Sequence, residues 1–239
     1  VTTNTRRPQT ARVYLRWAAV AGLVPLPLSV LFISIGAVPW PESGQDGQAY
    51  LEYVLHNHVG EIQTICWMVI MVALMVWAIA LAMFYIHRSG GPTASALAIL
   101  LGTTAYAIAG GVAGALFNGV VLYARGNPSF GSDPADFRVI AFGWENLGMM
   151  FGMGSVLWVL AFAGVAAANR ATPILPRALA EWCGIAIAVI SVGSLGFCFA
   201  YRGPWSYGSI GHTLLVMAPQ FAWLAAVSVA LFKAARRAQ

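Results

Sequence analysis

Six polar residues are the main candidates for chemistry: His58, Glu61, Asn118, Glu145, Asn146 and His212. Each sits within or at the head of an apolar run, where an ionisable or amide side chain is costly and by default points to a functional site. His58 and Glu61 precede or open the second run, and Asn118 lies near the end of the third. Glu145 and Asn146 fall in the first part of the fourth, and His212 opens the sixth. Counting from the ends of the runs puts all six near one membrane boundary, the outer one by the charge argument below. Such a set would line a ligand pocket open to the outer leaflet. A plainer account also exists, because polar side chains at interfacial depth can snorkel to water or hydrogen-bond within a bundle at modest cost.

The sharpest chemistry would be metal binding. His58-x-x-Glu61 places an imidazole and a carboxylate on adjacent helical turns. Glu145 and His212 would complete a mixed His/carboxylate set suited to zinc or iron. Against this, Gly60 can break the helix between the pair, no His-Glu-x-x-His occurs, and His56-x-His58 would face two ways. Met68, Met71 and Met75, with Met149, Met150 and Met153, offer thioethers for copper(I), but methionines at helical spacing are far more often core filler. His212 has no second histidine facing it at bilayer depth for a two-haem arrangement. The cysteines Cys66, Cys183 and Cys198 lie in apolar runs without Cys-x-x-Cys spacing and are expected to be buried small hydrophobes. No P-loop, Gly-x-Ser-x-Gly or dinucleotide fingerprint is present. No metal or other cofactor is therefore expected. The leading expectation is a non-enzymatic protein that binds a small apolar or amphipathic ligand, or a membrane partner, through the outer pocket. The alternatives are a membrane-embedded enzyme with a His/Glu acid–base or metal centre, and a small transporter. A transporter would usually show midplane charge and repeated halves, and neither is evident.

The elements that must position these residues follow from composition. Of 239 residues, 59% are hydrophobic and 9% charged, against about 25% charged in a soluble domain, and the mean hydropathy is +0.74. This excludes a disordered chain, a nucleic-acid-binding domain and an ordinary cytosolic enzyme. It implies an all-α polytopic transmembrane bundle. Six runs are apolar enough to span: 13–38, 62–86, 95–122, 138–168, 178–200 and 212–232. Residues 1–12 and 233–239 are then tails, and 13–232 form one domain. Arg6, Arg7, Arg12, Arg16, Arg88, Arg170, Arg177, Lys233, Arg236 and Arg237 fall on one side, and only Arg125, Arg138 and Arg202 on the other. By the positive-inside rule both termini are cytoplasmic, which disposes of nucleic acid as an explanation of the +5 net charge. Abundant Arg, Ala and Gly beside a single Lys, with an initial Val read as a GTG start, point to a bacterial cytoplasmic (inner) membrane. The expected partners are the lipid bilayer, a second copy or another membrane protein.

Finer signals concern the connections. Residues 48–58 place Tyr50, Leu51, Val54, Leu55 and His58 on one helical face, which predicts a short amphipathic outer helix before helix 2. Asp133-Pro134 is an N-cap followed by Pro at N1, so helix 4 should start early. Pro25 and Pro27 should kink an uncleaved first span, although Ser34 and Gly36 would allow a signal-peptide cleavage there. Gly110-x-x-x-Gly114 and Gly148-x-x-x-Gly152 predict close crossing of helices 3 and 4, or self-association. Trp40, Tyr123, Trp144, Tyr201, Trp205 and Tyr207 read as an outer aromatic belt, and Tyr14, Trp17, Tyr85 and Trp182 as an inner one. Arg177 and Glu181 are spaced to pair, and Gln220 to bond across helices.

The connection Ile174-Leu175-Pro176-Arg177-Ala178-Leu179, followed by Trp182 and Gly184, resembles that of bacterial integral membrane families of unknown function whose fourth and fifth helices are joined by a Leu-Pro-Arg-x-Leu turn. The resemblance covers about ten positions and the six-span plan. It implies that plan and no catalytic residue.

Overall fold

In lipid every backbone polar group must be satisfied within the chain, and a helix does this within one segment. The computed structural model, which describes residues 6–35, 41, 44–198, 211 and 213–237, accordingly contains helices and no strand among those residues. Among the described residues six stretches are long and apolar enough to cross a membrane: Gln9–Ser34, Val59–Ser89, Ala94–Gly126, Pro134–Ala171, Ala178–Gly196 and Leu214–Arg237.

The first span comprises α1 (Arg6–Leu23) and α2 (Pro25–Ser34). They part at Val24 because Pro25 cannot donate to the helical ladder and its ring crowds the preceding turn. A short helix α3 (Gly47–Leu55) follows, with Asp46 accepting from the Ala49 amide at 2.9 Å as its N-cap. One tight 3₁₀ turn, His56–His58, then leads into the second span, α4 (Val59–Ser89). The third span is α5 (Ala94–Gly126), capped by Thr93. The fourth joins α6 (Pro134–Leu157) to α7 (Val159–Ala171), with Asp133 capping the start and Pro134 in the first turn as the sequence predicts. Wide, π-helical turns, Ala178–Cys183 and Thr213–Met217, open the last two spans ahead of α8 (Gly184–Gly193) and α9 (Ala218–Arg237).

Helix α5 lies between α4 and the α6–α7 pair, while α1 packs against α4 and α9. Backbones come close where glycine leaves room. A Cβ on Gly102 would lie 2.6 Å from the Ala161 amide nitrogen, and one on Gly164 2.7 Å from the Ser95 carbonyl oxygen. The third and fourth spans therefore do cross closely, but Gly102 and Gly164 make this approach. Gly110 and Gly114 turn instead toward α4: the Gly110 carbonyl accepts from Trp67 Nε1 at 3.1 Å, and a Cβ on Gly114 would meet the same indole at 3.3 Å. A small residue makes room, and the neighbouring side chain decides what fills it.

The bundle interior is aromatic. Tyr106 stacks on Trp158 at 4.7 Å, and Phe162 meets Trp158 at 5.2 Å and Trp223 at 4.9 Å. Trp158 donates to Thr103 Oγ1 at 3.3 Å, which satisfies its buried N–H. Large apolar side chains such as Val72, Leu101, Leu116 and Val189 face outward along the spans. On a water-facing surface such a patch would drive association, whereas in a bilayer it contacts hydrocarbon.

Two groups of residues depart from their expected places. Trp144 and Tyr85, read as interfacial aromatics, are buried, while Trp17, Tyr123 and Trp182 are exposed. Trp144 is drawn inward by stacking on Tyr50. Trp40, Tyr201, Trp205 and Tyr207 lie outside the described residues. Cys66 is buried, but Cys183 is exposed on the face of the fifth span.

Candidate functional site

The end of the bundle that carries α3 holds three of the six polar residues singled out by sequence, His58, Glu61 and Glu145, in two separate networks. In the first, Tyr50 donates from its phenol to Glu145 Oε1 at 3.1 Å, and the Gly44 amide donates to the same oxygen at 2.8 Å. The Gln45 amide donates to the Tyr50 oxygen at 3.0 Å. The Tyr50 ring stacks on Trp144 at 5.1 Å, and Tyr53 and Phe117 meet that indole edge-on. Gln63 donates to Tyr53 Oη at 2.7 Å and to the Phe32 carbonyl at 3.0 Å. Burial and the neighbouring Glu145 charge push the Tyr50 phenol well above its ordinary pKa, and burial raises Tyr53. Both mechanisms disfavour the phenolate.

The network exists because α3 is inserted into the bundle end. Gly47, Tyr50, Tyr53 and Val54 are its buried residues, and Gln48 and Glu52 remain exposed. A Cβ on Gly47 would fall 1.9 Å from the Phe137 carbonyl oxygen, so the α3 backbone rests directly on that of α6.

In the second network, Arg125 at the end of α5 forms an ion pair with Glu61 in the first turn of α4. It also donates to His58 Nδ1 and approaches the Leu55 carbonyl at 3.4 Å. His58 adopts a left-handed conformation with φ 60°, which costs an L-residue about 1–2 kcal/mol. The break between α3 and α4 therefore falls at His58, and Gly60 is already helical and packed against Val54 and Val121. His58 Nδ1 is 4.0 Å from Glu61 Oε1, at the limit of an ion pair.

These contacts engage the candidate residues chiefly with side chains outside that set. His58 and Glu61 are brought together by Arg125, which sequence reasoning treated only as a topology marker. Glu145 belongs to the Tyr50 network. Asn146 bonds back to its own helix at the Phe142 carbonyl, 3.0 Å away, and Asn118 is half-buried in α5. His212 lies outside the described residues. A cavity does occur beneath α3, lined by Phe32, Gln63, Trp67, Phe117 and Trp144 among others, but its volume is only about 20 Å³. That is room for one water, and none of the candidate residues lines it. Among the described residues no group of three His, Cys, Asp or Glu side chains is placed to hold a metal.

A larger space lies elsewhere. Between the fourth and fifth spans an apolar cleft of about 370 Å³ is lined by Val159, Ala163 and Ala166 on one wall and Gly184, Ala188 and Val192 on the other, with Phe162, Ile185 and Val189 completing it. Alanine and glycine on both walls leave the gap that larger residues would fill. The turn at one end of this seam is built by Asn169. Its Oδ1 accepts from the Ile174 and Leu175 amides at 3.0 and 2.9 Å, and its Nδ2 donates to the Leu175 carbonyl at 3.2 Å. Beside it, the buried Glu181 carboxylate receives Arg170 at 2.9 Å and Arg177 at 3.3 Å. The second pair has the expected four-residue spacing; the first does not come from local spacing. Trp223 closes the inner side by donating to the Leu179 carbonyl at 2.9 Å.

No family model, curated protein or solved structure matches this chain. The sequence signal that could have found the cleft is the small residues Ala163 and Ala166 on the fourth span and Gly184 and Ala188 on the fifth. Their significance depends on which helices face each other, which spacing along one helix does not reveal.

Proposed function

We propose that this is a non-catalytic multi-pass protein of the bacterial cytoplasmic membrane, with both termini inside, that takes an apolar or amphipathic ligand laterally from the bilayer. The observation that carries this reading is the 370 Å³ apolar cleft between the fourth and fifth spans, a volume within the range of ligand pockets, about 300–1,000 Å³. The polar residues at the α3 end support a structural role, since Glu61 is engaged by Arg125 and Glu145 by Tyr50, and the cavity at that end has room for only one water. The concentration of arginine and lysine at the ends bearing the termini and the Asn169 turn supports the orientation.

Native mass spectrometry of the protein extracted in mild detergent tests the reading. The wild type should carry a lipophilic adduct, and Ala166→Trp or Ala188→Trp, which fill the cleft from either wall, should lose it while remaining monodisperse and helical. A bare wild type, or an adduct retained in both filled variants, overturns the proposal.

A further inference from the structure

The apolar cleft has a charged mouth. Ala163, Ala166 and Arg170 follow one another at helical spacing on one face of α7, so Arg170 stands one turn beyond the cleft wall. Across the seam, Gly184 stands one turn beyond Glu181, which holds both Arg170 and Arg177. Two guanidinium groups thus share one carboxylate, which leaves a surplus positive charge. The arginines are not sealed in by that pairing: their side chains are 63% and 75% exposed. Trp182, 65% exposed, follows Glu181 in the turn that opens the fifth span, and an indole at a span's end marks the boundary between headgroups and hydrocarbon.

We infer that the cleft is a binding site for an anionic phospholipid of the surrounding bilayer. One acyl chain lies between Val159/Ala166 and Ala188/Val192, and the phosphate group meets Arg177 and Arg170. Guanidinium recognises phosphate oxygens through paired N–H donors, and basic pockets between spans favour anionic headgroups. Glu181 tunes the site: it orients the two arginines and cancels one of their charges. This inference rests on the cleft being a ligand site and adds the chemical class of the ligand.

The test uses full-length protein in nanodiscs containing equal amounts of phosphatidylglycerol and phosphatidylcholine with identical acyl chains. The lipids that remain bound after release into the mass spectrometer are counted. The wild type should retain phosphatidylglycerol over phosphatidylcholine by about fivefold, the preference that one surplus surface cation confers, and the ratio should shrink as salt rises. Arg177→Gln should bring the ratio close to parity, with Glu181 still paired to Arg170. Glu181→Gln should raise the ratio above wild type, an increase that a purely structural role for Glu181 would not produce. Should that variant not fold, Arg177→Gln decides alone. A wild-type ratio of one, or an undiminished ratio in Arg177→Gln, overturns the inference. If such parity is accompanied by loss of both lipids in Ala166→Trp, only the headgroup assignment fails. If Ala166→Trp retains both lipids, the cleft itself is not the site.

Discussion

The two ends of the bundle handle polar residues in opposite ways. At the α3 end, carboxylates, phenols and an arginine from four segments are drawn into contact beneath a short helix. They are engaged with one another, and the cavity at that end has room for one water. At the Asn169 end, one buried carboxylate gathers two exposed arginines beside a cleft more than ten times larger. The first arrangement closes the protein and the second leaves it open. Polar residues meeting at one depth therefore do not in themselves mark a binding site. Unspent charge beside unfilled apolar space is the better sign.

The contrast can be broken most strongly at Gly47. Any side chain there must displace α3 from the α6 backbone, and Gly47→Leu should destabilise the protein by about 3 kcal/mol. The loss would appear as a lower Tm in detergent and as new protease cleavage near α3, with lipid retention in the cleft kept. Loss of the cleft ligand in that variant would show that the two ends are not independent. Asn169→Ala strikes the other end. It leaves two amides and a carbonyl of the turn without their partner, and should cost about 1–3 kcal/mol, read from the same thermal melts. Here the bound adduct should be lost along with stability.

Tyr50→Phe is a gentler probe. It keeps the stack on Trp144 but deletes the phenol that links Glu145 and Gln45, and should cost about 1 kcal/mol. The smallest effect at neutral pH, and the most specific, is alkaline. Because the folded-state pKa of Tyr50 and Tyr53 is raised, their contribution is fully present below the ordinary phenol pKa of about 10 and is lost as pH rises above it. The α3 end should thus loosen above about pH 10, before the cleft does, as seen by protease access near α3 alongside tyrosinate absorbance. Tyr50→Phe should make this loss shallower. An alkaline loss unchanged by Tyr50→Phe would place its origin elsewhere.

The spans were legible because hydrocarbon permits so few backbone solutions: Asp133 and Pro134 start the fourth span where expected, and Pro25 breaks the first. Contacts within one helix or turn were legible too, such as Arg177 with Glu181. Contacts between spans were not. Nothing in the spacing of Gly110 and Gly114 says that Trp67 will occupy the room they leave. Arg125 reads as a loop charge until α4 and α5 are set side by side. Tyr50 and Trp144 each look interfacial, and only their mutual stacking makes them interior. The cleft is the extreme case, since it consists of atoms that are absent from two facing walls.

Asn169 has a consequence for how the chain enters the membrane. All three of its turn contacts lie within six residues. Nothing from the first three spans or the last is required to complete them. The fourth and fifth spans can therefore close into a helical hairpin as soon as the fifth has been synthesised. Contacts this local form early because little chain entropy opposes them. The hairpin would then insert as a pair, with its seam between α7 and α8 already in place when the sixth span arrives.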